Sequence, residues 1–234
     1  MLSDNDEGLH DWPRDLDTTW KENFYWNLAD RRAGVWGFTH LSLVRTSGEA
    51  VFSAMFMVDG RVRMYRNNVA IGDGEPDMSD GAVSVEIVEP FKHHRLSIDT
   101  PEYRMGLDYR ARFPAFDYSG RKIAANKTKM RHLRLKRYEQ GMKVEGRCLV
   151  KDTEHEVAID CLGHRDHSWG RREESKIDGW NWAAVQLEEK TINITRSFSG
   201  NDYNVNGFIS SPEGNTGVCE VDFETIEFEE DGRT

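Results

Sequence analysis

The alternation of apolar and polar residues is the feature of this sequence that most restricts its fold. Tyr103, Met105, Leu107, Tyr109 and Ala111 alternate with charged or glycine residues, so the apolar groups share one face of an extended strand. Further strands are predicted at residues 83–87, 133–137, 142–150, 157–161, 180–187, 191–198, 203–210 and 218–228. Turn residues recur about every ten positions, which is typical of antiparallel sandwiches and barrels. The sequence therefore predicts an antiparallel all-β fold, a barrel or a sandwich.

Two turns and one helix complete this prediction. Asp59-Gly60 lies between two apolar runs and is typical of the two-residue turn of a β-hairpin. Gln140-Gly141 is predicted to turn the chain between two alternating strands. The best helix candidate, Ala124–His132, lacks an apolar stripe with the helical period, so helix is expected to be a minor component.

Composition excludes several classes of protein. The chain has 31 Lys and Arg residues against 41 Asp and Glu, and its net charge of −10 does not attract nucleic acid or anionic lipid. The one locally basic stretch, Lys127–Arg137, lacks interleaved aromatic residues and is interpreted as the solvated face of a strand. No apolar run approaches the roughly 20 residues of a membrane span. The N-terminus lacks the order of a signal peptide, and three widely spaced cysteines favour reduced thiols. We therefore expect a cytoplasmic protein without a nucleic-acid partner or a membrane span.

The densest group of polar side chains is the segment GHRDHSWGRR at residues 163–172. It directly follows an apolar strand, so we predict that it lies where a strand ends and a loop begins, which is where binding and catalytic residues concentrate. Asp166 and His167 of this segment are able to transfer a proton to or from a substrate. They are the candidate catalytic pair.

Two other interpretations of this segment stay open. His164, Asp166 and His167 offer metal ligands, but a His spacing of three suits one face of a helix rather than a strand or turn, so no metal site is predicted. Alternatively, the segment is a structural brace in which Arg165 or Arg171 forms an ion pair with Asp166 at a corner of the sheet.

The tryptophans are concentrated at the N-terminus and just after this polar segment. Trp180 and Trp182 are two residues apart on a predicted strand, so both indoles face the same side. Together with Trp169 they offer an aromatic wall for an apolar ligand or a carbocation. Packing in a β-sheet core is the alternative interpretation of the same residues.

Several of these motifs occur together in the order found in one known group of proteins. They are the stretch Tyr138–Gly141, Gly146 on the next strand, the GHRDHSWGRR segment, and a Trp-x-Trp strand after it. In this combination the chain resembles the lipocalin-like (calycin) hydratase superfamily, which includes carotenoid 1,2-hydratase (hydroxyneurosporene synthase). The likeness extends over nearly the whole chain, and the chain is similar to the uncharacterised bacterial members.

The resemblance implies two lipocalin-like β units. We expect residues 1–162 to form the first unit and residues 163–234 to begin a second, because members of the superfamily are usually longer than this chain. The strand predicted at 218–228 has no returning partner in the sequence, which fits either a natural end or a chain cut inside a longer protein. An unpaired edge strand favours association, so a homodimer is also expected.

The resemblance also implies a hydratase or hydro-lyase that acts on a hydrophobic isoprenoid, steroid-like or polyketide substrate. In this interpretation Asp166, held protonated in an aromatic pocket, donates a proton to the double bond, and His167 orients it or activates water. Arg165 and Arg171 brace the segment, and neither a metal nor a cofactor is expected. The candidate substrate-binding residues are Trp169, Trp180, Trp182 and His164. A non-catalytic carrier of a lipophilic ligand and a structural β module are the alternatives.

Overall fold

The protein is described by a computed structural model over residues 2–12, 19–71, 77–119, 133–172, 177–200, 202–218, 220–222 and 224. These residues form fourteen β-strands in two antiparallel sheets, with a single 3₁₀ turn at Asp4–Asp6 and no α-helix among them. The predicted all-β antiparallel fold is confirmed. No helix within the described ranges is long and apolar enough to cross a membrane.

The larger sheet has ten strands, and the smaller sheet has four. The strands of the larger sheet are β1 (Trp20–Asp30), β2 (Val35–Val44), β3 (Glu49–Val58), β4 (Arg61–Ala70), β5 (Val83–Glu89), β6 (His93–Asp99), β7 (Tyr103–Ala111), β8 (Phe116–Asp117), β9 (Leu133–Val150) and β10 (His155–Arg172). The strands of the smaller sheet are β11 (Gly179–Leu187), β12 (Lys190–Ser199), β13 (Asp202–Ser211) and β14 (Gly214–Val218).

The larger sheet curls into a half-barrel with the order β4-β3-β2-β1-β10-β9-β7-β6-β5, while the short β8 pairs with β9. The two longest strands, β9 and β10, lie at its centre and carry most of the candidate site. We call the concave, apolar face the inner face. Its core contains the buried side chains Phe24, Trp26, Leu41, Phe52, Phe56, Leu96, Tyr103, Leu107, Tyr109 and Val144.

Alternation and turn chemistry place β3, β4 and β7 as predicted. In β3 every second side chain is buried, and in β7 Tyr103, Met105, Leu107 and Tyr109 are buried while their neighbours are not. The hairpin between β3 and β4 turns at Asp59-Gly60, where φ is 53° and 71°. Two successive positive φ angles are the geometry that matches the twist of a tight hairpin, so this prediction is confirmed.

The turn predicted at Gln140-Gly141 is wrong, because β9 continues through both residues. Gly141 serves a different purpose, which is close approach of the two sheets. A Cβ at this position would lie 1.9 Å from Thr191 Oγ1 of β12. A glycine in mid-strand therefore lets the smaller sheet pack against the outer face of the larger sheet.

We expect Gly141→Ala to lower the free energy of unfolding by about 1–3 kcal/mol, because the added methyl group overlaps Thr191 and pushes the two sheets apart. Gly106→Ala in β7 is the matched control, since a Cβ there meets nothing within 4 Å. Thermal unfolding of both variants followed by circular dichroism measures the difference. Equal stability of the two variants would contradict this account of Gly141.

The segment at residues 163–172 also differs from the prediction. It is not a loop but the second half of β10, and it pairs with β1 on one side and β9 on the other. Position 163, where the second unit is expected to begin, lies inside this strand. The larger sheet ends at Arg172 and the smaller begins at Gly179. The division of the chain into two β units stays a prediction.

The last predicted strand is displaced. β14 ends at Val218, where the strand predicted over 218–228 was to begin, and residues 220–222 and 224 are in no strand. The chain turns back earlier than predicted, through a two-residue loop at Pro212-Glu213. The remaining residues of that segment, and the helix candidate at Ala124–His132, lie outside the described residues.

Candidate functional site

The polar residues of β10 are divided between the two faces of the larger sheet. Successive side chains of a strand point to opposite faces. The register with β1 places His167 opposite Phe24 on the inner face and Asp166 opposite Tyr25 on the outer face. The structure therefore does not bring the candidate pair Asp166 and His167 together, because a continuous strand separates them.

The inner face carries a buried network of polar side chains that we call the inner cluster. Arg165 lies at its centre: Nη1 and Nη2 donate to the two carboxylate oxygens of Glu7 at 2.5 and 3.1 Å, and Nε donates to Gln140 Oε1 at 2.9 Å. Glu7 and Arg165 are each 1% exposed. This bidentate pair fastens the N-terminal segment, residues 2–12, to the inner face. The cluster consists of Glu7, His10, Glu22, His94, Tyr138, Gln140, Arg165 and His167.

A chain of contacts extends from Glu7 to the other end of the inner cluster. Tyr138 Oη lies 3.0 Å from Glu7 Oε1 and 3.1 Å from His167 Nδ1. His167 Nε2 in turn lies 2.9 Å from Glu22 Oε1, and His10 Nδ1 lies 2.7 Å from that same oxygen. Two residues of the N-terminal segment are thus bound to side chains of β1, β9 and β10.

Burial and charge fix the protonation of this cluster. Burial opposes ionisation of the Glu7 carboxyl, but the charge of Arg165 and the hydrogen bonds from Arg165 and His94 together outweigh it and hold the pKa of Glu7 well below its usual range. Burial lowers the pKa of His94 to about 4, and the charge of Arg165 acts in the same direction. Burial raises the pKa of Tyr138 far above its ordinary value. The inner cluster is therefore a structural tie between the N-terminal segment and the sheet.

A cavity of about 560 Å³ lies on the opposite side, between the outer face of the larger sheet and the smaller sheet. We call it the outer cavity. Its volume is in the range of small-molecule sites. One wall comes from β1, β2, β9 and β10, and the other from β11 and β12. Its lining includes Tyr25, Phe38, His40, Arg137, Asp166, Trp180 and Trp182.

Asp166 lies in the wall of the outer cavity and forms an ion pair with Arg137 of β9. The distance from Arg137 Nε to Asp166 Oδ2 is 3.0 Å. Arg137 also contacts Glu139 and lies over the ring of Tyr118, 4.9 Å from its centroid. The ion-pair partner predicted for Asp166 is therefore corrected: Arg165 binds Glu7 on the inner face. A carboxylate in an ion pair accepts a proton rather than donating one, which also changes the chemistry expected of Asp166.

Four aromatic side chains, Tyr25, Phe38, Trp180 and Trp182, also line the cavity. Tyr25 meets Trp182 edge to face, with ring centroids 5.6 Å apart, and its ring is also 5.6 Å from that of Phe38. Trp180 lines the same cavity and is 65% exposed. Because Trp180 and Trp182 are two residues apart on β11, they face the same side, as their spacing predicts. They are available to a ligand rather than buried in a core.

The other predicted site residues lie outside this cavity. Trp169 is on the inner face, stacked on His10 with ring centroids 3.9 Å apart. His164 is fully buried, and its Nε2 lies 2.7 Å from Glu139 Oε2. Burial lowers the pKa of His164 to about 3, so its imidazole is neutral. Arg171 lies near the end of β10, opposite Trp20.

Sequence reasoning missed the residues that distant strands contribute. Tyr25 and His40 enter the outer cavity from β1 and β2, and Arg137 enters from β9. Arg137 belongs to the basic stretch interpreted as a solvated face, although the structure buries most of its side chain. No local motif marks these residues. The only signal is the alternation of side chains along each strand, which places Tyr25, His40 and Arg137 on the same face of the sheet as Asp166.

His40, in the wall of the outer cavity, makes the free energy of unfolding depend on pH. Burial lowers its pKa from an ordinary 6.5 to about 4; Asp166 opposes this shift, while Lys21, Arg172 and Arg66 add to it. The unfolded chain then binds the proton more readily than the folded one, so stability present above pH 6.5 is lost as the pH falls toward 4. His40→Gln should reduce the loss of unfolding free energy between pH 7 and 4.5 by about 2 kcal/mol.

Urea denaturation at the two pH values measures this loss. The control is His155→Gln, since the side chain of His155 is half exposed and should leave the wild-type pH dependence intact. If His40→Gln retains the full wild-type pH dependence, His40 is not a buried neutral imidazole.

The chain matches one family of proteins over almost its entire length. The family described as a domain of unknown function, DUF7064, matches residues 3–234. No curated protein sequence matches the chain.

A solved structure provides the second comparison. The crystal structure of kievitone hydratase from Nectria haematococca is similar, with a TM-score of 0.58 and a sequence identity of 14%. The match covers 92% of this chain and 67% of that chain. A likeness at this identity shows the fold alone, so the predicted resemblance is confirmed only as a fold shared with this hydratase.

Proposed function

The chain belongs to the DUF7064 family, and we propose that it adds water to, or removes water from, a double bond of a hydrophobic small molecule. The proposal is based on the fold that the chain shares with kievitone hydratase and on its outer cavity. The observation that carries the proposal is the Asp166–Arg137 ion pair in the wall of a cavity of about 560 Å³ that also presents Tyr25, Phe38 and two tryptophans. Sites of this kind combine apolar walls with a few polar groups that orient and react.

Asp166 is the proposed proton acceptor. Its carboxylate is held by Arg137 and takes a proton from the water molecule whose oxygen bonds to one carbon of the double bond. Asp166 thus acts as a base, in place of the acid role expected from the sequence. His167 has no part in this step, because it lies on the inner face.

Tyr25 is the proposed proton donor to the second carbon. Burial raises the pKa of Tyr25, and the nearby Asp166 charge adds to this, so the phenol keeps its proton at neutral pH. After transfer, the protonated Asp166 returns its proton to the Tyr25 oxygen, so the net change is the addition of one water. The reverse sequence removes water from an alcohol.

The aromatic walls favour an isoprenoid, steroid-like or polyketide substrate. The cavity can bury the apolar surface of such a substrate against the rings of Tyr25, Phe38, Trp180 and Trp182. The faces of these rings also stabilise positive charge that develops on a substrate carbon. A cytoplasmic location and a homodimer remain predictions from composition and from the sheet edges.

A non-catalytic carrier of a lipophilic ligand is the second candidate, favoured by the exposed indole of Trp180 beside the rings of Tyr25, Phe38 and Trp182 in the outer cavity. Incubating the full chain with a panel of terpenoid, steroid and polyketide alkenes in ¹⁸O-labelled water separates the two. Incorporation of ¹⁸O into a product supports the hydratase. Saturable quenching of tryptophan fluorescence without incorporation supports the carrier and contradicts the hydratase.

A further inference from the structure

Three potential metal ligands from distant parts of the chain meet at one end of the inner cluster. They are His10 of the N-terminal segment, Glu22 of β1 and His167 of β10, and one ligand atom from each lies within 4.8 Å of the others. Glu22 and His167 are fully buried, and His10 is mostly buried. None of the three takes part in the proposed reaction, which is on the other face of the sheet.

The protons on His167 and its neighbours are too few for every one of its short contacts to be a hydrogen bond. Tyr138 has one hydroxyl proton, and it faces Glu7 Oε1, which as a carboxylate oxygen only accepts. His167 Nδ1 must then donate to Tyr138 Oη at 3.1 Å. In a neutral imidazole this leaves Nε2 as a lone pair, 2.9 Å from an oxygen of Glu22. Two acceptors at that distance require a cation between them, either an extra proton or a metal ion.

The position of His10 favours a metal ion. Its Nδ1 lies 2.7 Å from the same Glu22 oxygen, so two imidazole nitrogens and a carboxylate oxygen converge within 4.8 Å of one another, more ligand atoms than one shared proton requires. Two imidazoles and one carboxylate are a ligand set that Zn²⁺ and similar divalent ions prefer. Further contacts support the ligands: Tyr138 orients His167, and Trp169 stacks on His10.

We propose that His10 Nδ1, the Glu22 carboxylate and His167 Nε2 bind a divalent transition-metal ion of the Zn²⁺ type, which fastens the N-terminal segment to the inner face. Zn²⁺ at roughly 2.0–2.1 Å from each ligand separates the ligand atoms by roughly 3.3 Å. The two nitrogen-to-oxygen distances, 2.7 and 2.9 Å, would lengthen by roughly half an ångström to reach this spacing. His10 is able to make that adjustment, because it lies on a segment outside the sheet.

Metal titration of the full chain, prepared without a polyhistidine tag and stripped with a chelator, tests the proposal. Isothermal titration with Zn²⁺ should show one equivalent bound, and Co²⁺ should give the visible absorption of a low-coordinate site. His10→Ala should weaken Zn²⁺ binding at least 100-fold while circular dichroism remains that of the folded protein. His155→Ala, which changes a half-exposed histidine bonded to Asp59, should bind as the wild type does.

Two results would overturn the metal site. One is the absence of stoichiometric binding by the folded wild-type chain, which would mean that a proton occupies the space between His167 and Glu22. The other is unchanged affinity in His10→Ala. If that variant unfolds, His10→Gln keeps the ring volume more closely and should still lose the metal. Neither result bears on hydration in the outer cavity, which the labelled-water experiment measures separately.

Discussion

Glu7→Gln is expected to lower the free energy of unfolding by about 3–5 kcal/mol, although it changes one oxygen for an amide nitrogen. The reason is that Arg165 then loses the carboxylate that binds both of its terminal nitrogens. Arg165 is 1% exposed and lies in a central strand, so it cannot move to water. Removing one partner of a buried ion pair leaves an uncompensated charge, which is the costly case. In a chain of this size the melting temperature should fall by roughly 6–20 °C.

Glu86→Gln is the matched control, because it breaks an ion pair with Arg95 in which both side chains are about half exposed. An exposed pair contributes about 0–1 kcal/mol, so the control should melt within a few degrees of the wild type. Both variants are compared by thermal unfolding in the presence of a chelator, so that no bound metal contributes. Similar melting temperatures for the two variants would show that the N-terminal segment does not hold Arg165.

Asp166→Asn is expected to reduce turnover by roughly 10²–10⁴, the usual contribution of a general base, if the proposed hydration is correct. The amide retains the size of the side chain but does not accept a proton from water. Stability should change by less than about 2 kcal/mol, because Arg137 keeps Glu139 as an ionic partner. Turnover is measured as ¹⁸O incorporation per folded molecule with whichever alkene of the panel the wild type converts.

Asp160→Asn provides the control for this substitution. Asp160 lies six residues earlier on β10, so it faces the same side of the sheet as Asp166, and it forms an exposed ion pair with Lys143 of β9. It should leave turnover unchanged. A steep loss of melting temperature in Asp166→Asn, with ligand binding per folded molecule intact, would identify Asp166 as a brace of the sheet and not as a base.

Local patterns predicted much of the fold because each is set by a few neighbouring residues. The alternation in Tyr103–Ala111 specifies one buried face of β7. Asp59-Gly60 supplies the two residues with positive φ at the turn between β3 and β4. Glycine was a poorer guide. Gly141 is typical of a turn when read alone, yet the structure uses it to admit the Thr191 side chain of another sheet. That contact depends on a strand fifty residues away, so no local pattern contains it.

Alternation and turn residues were enough to predict antiparallel strands, and composition alone located the polar side chains of β10 in residues 163–172. How those side chains divide between the two faces of the sheet depends on strand register, which the fold sets. A strand sends neighbouring side chains to opposite faces. Asp166 therefore joins Tyr25 and Arg137 in the outer cavity, while His167 joins Glu22 and His10 on the inner face. These partners come from the N-terminal segment, β1 and β9, and their meeting depends on strand register over distances of up to about 160 residues.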